Sequence, residues 1–127
     1  MAKYKTELHG PIGTTPFLIT FTQAAPPKGV ALVAEELATG AVKINAIYVD
    51  NTANANFSYL KLWDSNPTLG TTRAEFIIPV QPSTKLQFSF DPSLESTNLW
   101  GAVLSSPDNT ATTSPTGQVV TRLLLGT

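Results

Sequence analysis

The chain reads as all-β, an antiparallel β-sandwich of the jelly-roll kind. Three observations predict this. Short runs rich in Val, Ile, Phe, Tyr and Trp recur along most of the 127 residues, and these side chains suit a pleated, half-buried surface. Clusters of Pro, Gly, Asn, Asp and Ser separate the runs at regular spacing, the pattern of a sandwich or barrel. No convincing helix stands between successive runs, as parallel βαβ units would require. About eight short strands are expected in a single domain over residues 16–127, after an irregular N-terminal arm over residues 1–15.

Met1 to Thr15 shows no periodicity and carries Gly10, Pro11 and Gly13, hence the arm. In Phe17 to Thr22, Phe17, Ile19 and Phe21 alternate with smaller or more polar neighbours, which is strand period. Ala25-Pro26-Pro27-Lys28-Gly29 ends that run. Val30 to Ala38 is ambiguous: Val30, Val33, Ala34 and Leu37 make a helical stripe of residues that tolerate helix. The segment is short and bracketed by Gly29 and Gly40, so a strand is expected.

Val42 to Trp63 is the most strand-like stretch. Two arms, Val42 to Val49 and Phe57 to Trp63, flank the polar run Asp50 to Ala55, and a central hairpin is expected. Asp and Asn bond their own backbone, so the run between the arms is a turn with a mechanism. Ala74 to Val80 follows, with Pro79 expected at an edge, strand end or bulge because it lacks an N–H. In Lys85 to Phe90, Leu86, Phe88 and Phe90 point inward and Lys85, Gln87 and Ser89 outward. Asp91 to Glu95 suggests a short helical turn, capped by Asp91 with Pro92 in the first position. Asn98 to Ser105 is a strand whose Gly101 implies a bulge or a close backbone approach. A polar loop over residues 106–117 leads to the last strand, Gln118 to Leu125.

Composition narrows the function classes. The net charge of -1 argues against a nucleic-acid binder, which normally presents a clustered basic face. Charged residues are 13% of the chain, against about 25% in typical domains. Either an assembly covers much of the surface, or this is the neutral polar surface common in all-β proteins. The absence of cysteine excludes a disulfide framework and a thiolate metal site. The start of the chain has basic residues but no apolar run, so neither a secretory signal nor a membrane span is expected.

A site is harder to find. His9, the one histidine, stands in the arm, where a solvated loop residue is the simplest reading. There is no G-x-S-x-G elbow and no Gly-rich phosphate loop. The carboxylates mostly sit beside Pro, Asn or Ser, where turn capping accounts for them. Asp50, Asn51 and Asn54 offer oxygen ligands, but without the spacing of an EF-hand. Tyr48, Tyr59, Trp63 and Trp100 are the candidate interface or glycan-stacking residues, with packing favoured over stacking. No catalytic residue, cofactor or metal is expected, and the protein reads as non-enzymatic. Asp50-Asn51-Thr52-Ala53 recurs as Asp108-Asn109-Thr110-Ala111, which repeated turn chemistry explains better than duplication.

The motif order carries a resemblance. Ile47-Tyr48-Val49-Asp50-Asn51-Thr52-Ala53-Asn54, Tyr59-Leu60-Lys61-Leu62-Trp63-Asp64, Leu69-Gly70-Thr71-Thr72, Ile78-Pro79-Val80, Asn98-Leu99-Trp100 and Asp108-Asn109-Thr110-Ala111 follow one another over roughly Ala46 to Leu124. This resembles small β-sandwich structural proteins of tailed-bacteriophage virions, cyanophages included, of the decoration or cement type. The resemblance implies a virion protein made in the host cytoplasm that binds the major capsid protein or another virion protein and stabilises the shell, often as a homotrimer. It implies no nucleic-acid or membrane partner and transfers no functional residue. The alternative is a carbohydrate-binding or tail-fibre-associated β-sandwich module serving host attachment.

Overall fold

The computed structural model describes residues 2–7 and 16–126. Among these it contains no helix and nine strands: β1 (Ala2–Glu7), β2 (Phe17–Gln23), β3 (Glu35–Ala38), β4 (Val42–Asp50), β5 (Ser58–Trp63), β6 (Phe76–Val80), β7 (Lys85–Ser96), β8 (Leu99–Leu104) and β9 (Val119–Gly126). Every pairing is antiparallel. One sheet runs β1-β2-β9-β4-β7 and the other β3-β8-β5-β6. With β1 set aside, this is a jelly roll of two four-stranded sheets. Phe17, Ile19, Phe21, Ile44, Ile47, Val49, Leu123 and Leu125 of the first sheet meet Leu37, Leu60, Leu62, Ile78, Leu99 and Val103 of the second in one core.

Several expectations need correction. The Val42 to Trp63 stretch holds two strands, but not a hairpin: β4 lies in one sheet and β5 in the other. Each arm buries its own apolar set, and both sets face the same core from opposite sides, so the polar run between them is a corner. Within the supposed irregular arm, Ala2–Glu7 is an edge strand, paired from Ala2↔Thr22 to Glu7↔Phe17. Its register comes from backbone pairing rather than an apolar pattern, so periodicity missed it. In Val30 to Ala38 only Glu35–Ala38 is a strand. Asp91 to Glu95 is not a helical turn but part of β7. Ile44 pairs with Leu94 and Ala46 with Ser89, so Asn45 alone faces the intervening residues of β7. That wide bulge, on an edge strand, is where a sheet tolerates Pro92. His9 lies outside the described residues.

Each of the four sheet edges carries a feature that resists strand addition. Pro79 sits in β6, β3 has four residues, and β7 is bulged. On β1, Lys3 and Lys5 lie on the core side of the sheet: Lys3 Nζ donates to the Glu36 carbonyl at 2.7 Å, and Lys5 Nζ lies 4.4 Å from the Phe17 ring centre.

Candidate functional site

A β-sandwich has two outer faces, and alternation places the functional candidates on them. On the five-stranded sheet, Val119, Thr121, Leu123 and Leu125 of β9 point into the core, leaving Val120, Arg122 and Leu124 outside. The register sets Leu18 beside Leu124 and Tyr48 beside Arg122. The Arg122 guanidinium stands 5.2 Å from the Tyr48 ring centre. Leu18, Ala46, Tyr48, Gln87, Arg122 and Leu124 line a shallow depression of about 320 Å³. Its single charge is Arg122, and among the described residues no loop crosses it.

The outer face of the four-stranded sheet is different. Tyr59, Lys61 and Trp63 of β5 lie opposite Leu104, Ala102 and Trp100 of β8. Trp63 and Ala102 are buried with Ala34 in a second apolar cluster, against Leu69, Ala74 and Trp100. The cover consists of the loops over residues 64–75 and 105–118 and the strap over residues 24–34. Trp63 Nε1 donates to the Thr72 carbonyl at 3.2 Å, and Asn109 Nδ2 to the Thr71 carbonyl at 3.0 Å. Lys61 is buried here, its Nζ donating to the Asp108 carbonyl at 2.7 Å. Desolvation pushes its pKa below the usual lysine value, and the nearby Asp108 charge opposes that shift.

The strap leaves a groove of about 860 Å³ between itself, the 64–75 loop and the 105–118 loop, with half-buried Trp100 in its lining. The strap is almost wholly apolar, and Val30 and Val33 are 56% and 67% exposed.

The four aromatic candidates therefore do not form one platform. Trp63 and Trp100 are register partners. Trp63 is 2% exposed and packs the second cluster. Tyr59 stacks on Phe57 with ring centres 6.1 Å apart. Tyr48 is on the opposite side of the sandwich, and Trp100 alone lines a sizeable groove.

The polar candidates are structural. At the corner after β4, Asn51 Nδ2 donates to the carbonyls of Asn56 (3.1 Å), Val80 (3.4 Å) and Gln81 (2.9 Å). Asn51 Oδ1 accepts from Asn54 Nδ2 (2.9 Å) and Ser58 Oγ (2.6 Å), while Asn54 Oδ1 accepts from the Gly117 N–H at 2.7 Å. Oxygens so occupied by N–H and O–H donors are not free for calcium. Asp50 accepts from the Thr52 hydroxyl (2.6 Å) and N–H (3.0 Å), which holds its pKa below the ordinary aspartate value. Asp64, Glu75 and Glu95 line one cavity of about 180 Å³. Asp64 there accepts from Ser96 Oγ at 2.6 Å, and Glu75 from the Asp64 N–H at 3.3 Å. Among the described residues no His, Cys, Asp and Glu group is arranged to hold a metal ion.

Two buried polar residues escaped sequence reasoning. Lys61 looks like an outward-facing strand lysine in SYLKLW, and connections distant in sequence bury it, the 105–118 loop supplying the Asp108 carbonyl to its Nζ. Gln23 is buried at the end of β2 and reaches across the sandwich to β8. Its Nε2 donates to the Val103 carbonyl and to Ser114 Oγ (2.9 Å), and its Oε1 accepts from the Val103 N–H at 2.8 Å. The amide thus serves β8 as a substitute strand beyond the end of β3.

No protein-family model and no curated protein matches the chain. Among solved structures it is similar to a cupin superfamily protein from Desulfitobacterium hafniense, at 10% identity over 97% of this chain and 77% of that one, with a TM-score of 0.28.

Proposed function

We propose that the protein is a non-enzymatic virion structural protein, a capsid decoration or cement protein that binds an assembled shell and stabilises it. The observation that carries this reading is the open face of the five-stranded sheet. At its centre, around Tyr48 and Arg122, no described loop crosses it and Arg122 is the single charge in the depression; tyrosine and arginine are enriched where protein interfaces draw most of their energy. The four obstructed edges agree with association through a face rather than through strand addition. The motif order from Ala46 to Leu124 supports the same reading.

The mechanism is linkage. A protein that binds the assembled shell, and not its separated subunits, stabilises the shell by its binding free energy. Many weakly held copies add through multivalency, and a homotrimer on the major capsid protein multiplies the contacts of each unit. The test compares heat resistance of particles with and without the protein. Particles carrying it should survive higher temperature, and Tyr48→Ala together with Arg122→Ala should abolish both retention and protection. Equal resistance, or absence of the protein from purified particles, defeats the reading.

A further inference from the structure

We propose that the groove between the strap over residues 24–34 and the two covering loops is a binding site for a neutral carbohydrate, with Trp100 as its stacking surface. The inference goes beyond shell binding and does not depend on it. Four observations converge on the groove.

The first is its lining, which contains no charged residue. The second is its division into two chemistries. The strap side offers Pro26, Val30, Leu32 and Val33, while the loops offer the polar side chains of Asn66, Thr68, Thr112 and Thr113. Those four make no side-chain hydrogen bond to any described residue, whereas neighbouring Ser114 is engaged by Gln23. An amide and three hydroxyls supply both donors and acceptors. The third concerns Trp100. With the Asn98 amide turned so that its nitrogen donates to the Ala38 carbonyl, its oxygen accepts from Trp100 Nε1 at 3.1 Å. The indole N–H is then committed, and the ring has only its carbon surface to offer. The fourth is size: about 860 Å³ lies within the range of small-molecule sites.

A pyranose matches this combination. Its C–H face suits the electron-rich face of an aromatic ring, and its hydroxyls pair with neutral amide and hydroxyl groups. An entirely apolar ligand would cover the four polar side chains without partnering them, at a cost for each. A charged ligand would find no counter-charge. A peptide held by strand addition needs a sheet edge, and the groove opens on a sheet face. It lies on the side of the sandwich opposite Tyr48 and Arg122, so a copy seated by that open face would still present it outward.

The test titrates 15N-labelled protein with glucose, galactose, mannose and N-acetylglucosamine, with glucuronate and N-acetylneuraminate as charged comparisons. At least one neutral sugar should give saturable amide shifts confined to residues 30–34, 66–69, 100 and 112–114. The Kd should be on the order of millimolar, as a few hydrogen bonds and one stacked ring imply. Asn66→Ala and Thr112→Val, both at exposed loop positions, should each weaken binding roughly 5- to 10-fold, the range of a single hydrogen bond. Trp100→Leu should abolish binding. If that variant fails to fold, the two loop variants still decide the matter. No saturable shift with any neutral sugar, shifts outside the groove, equal binding of the charged sugars, or affinity unchanged in Asn66→Ala and Thr112→Val would each overturn the proposal.

Discussion

The two outer faces of this sandwich use the same strand alphabet and end in opposite states. On the five-stranded sheet, Tyr48 and Arg122 stay at the surface, and no loop among the described residues crosses them. On the four-stranded sheet, Trp63 and Lys61 are buried because three connections fold over them. Alternation within a strand decides which side chains leave the main core. It does not decide whether they meet water. That choice is made by loops distant in sequence, joined to the sheet by single hydrogen bonds such as Trp63 to Thr72 and Lys61 to Asp108.

The largest expected effect separates the faces directly. Trp63→Ala empties the second apolar cluster and should cost about 3–5 kcal/mol, the usual range for removing a buried tryptophan. Tyr48→Ala removes a half-buried surface ring and should cost under about 1 kcal/mol. Urea unfolding of both variants measures the difference. Similar losses would mean that the open face is as integral to the fold as the covered one, and the contrast would collapse.

A second contrast lies inside the repeated tetrapeptide. In Asp50-Asn51-Thr52-Ala53 the asparagine is fully buried and serves three backbone carbonyls, Asn54 and Ser58. In Asp108-Asn109-Thr110-Ala111 it is exposed, with a single bond to the Thr71 carbonyl. Asn51→Ala leaves several buried polar groups unpaired and should cost about 2–4 kcal/mol. Asn109→Ala should cost about 0.5 kcal/mol, since a loop at the surface exchanges that bond for water. If Asn109→Ala proved the costlier change, the covering loop, not the corner, would be the anchor of this end of the sandwich.

These pairs also show what the sequence made legible. Strand positions from β4 to the first half of β7, and β8 and β9, were readable because Val, Ile, Phe and Trp cluster there, and Pro79, expected at an edge, strand end or bulge, lies on the edge strand β6. Gly101 was read as a bulge or a close backbone approach; the register through it is regular, and what closes on it is a side chain, since a Cβ there would lie 2.7 Å from Leu37 Cδ1. What periodicity cannot report is pairing between distant segments. It therefore missed β1, whose register is set by β2, and the bulge that absorbs Pro92 into β7. It also mistook a corner for a hairpin, since both connect strands through Asp and Asn. Of the four aromatic candidates, Trp63 is buried in the second cluster. The groove beside Trp100 was invisible, because its walls come from three loops separated along the chain.

The smallest expected effect uses pH to probe each side. Asp50, beside the open face, has its pKa held below 3.8 by Thr52. A carboxylate depressed in the folded state adds stability above its unfolded value and loses it as pH falls through the folded one. Asp50→Asn should therefore flatten the acid limb below that value, and an unchanged limb would mean the Thr52 bonds do not persist in solution. Lys61, on the covered face, has its pKa lowered from 10.5 by desolvation. The unfolded chain binds this proton more tightly, so the burial of Lys61 opposes folding at neutral pH. That opposition fades as pH rises from the folded value toward 10.5. Tyrosines titrate nearby, at about 10, so the informative quantity is the difference between the wild type and Lys61→Met. In urea midpoints taken across the alkaline range, the wild type should gain on the variant as pH rises. A constant difference would place the Lys61 ammonium in water and leave the second face as open as the first.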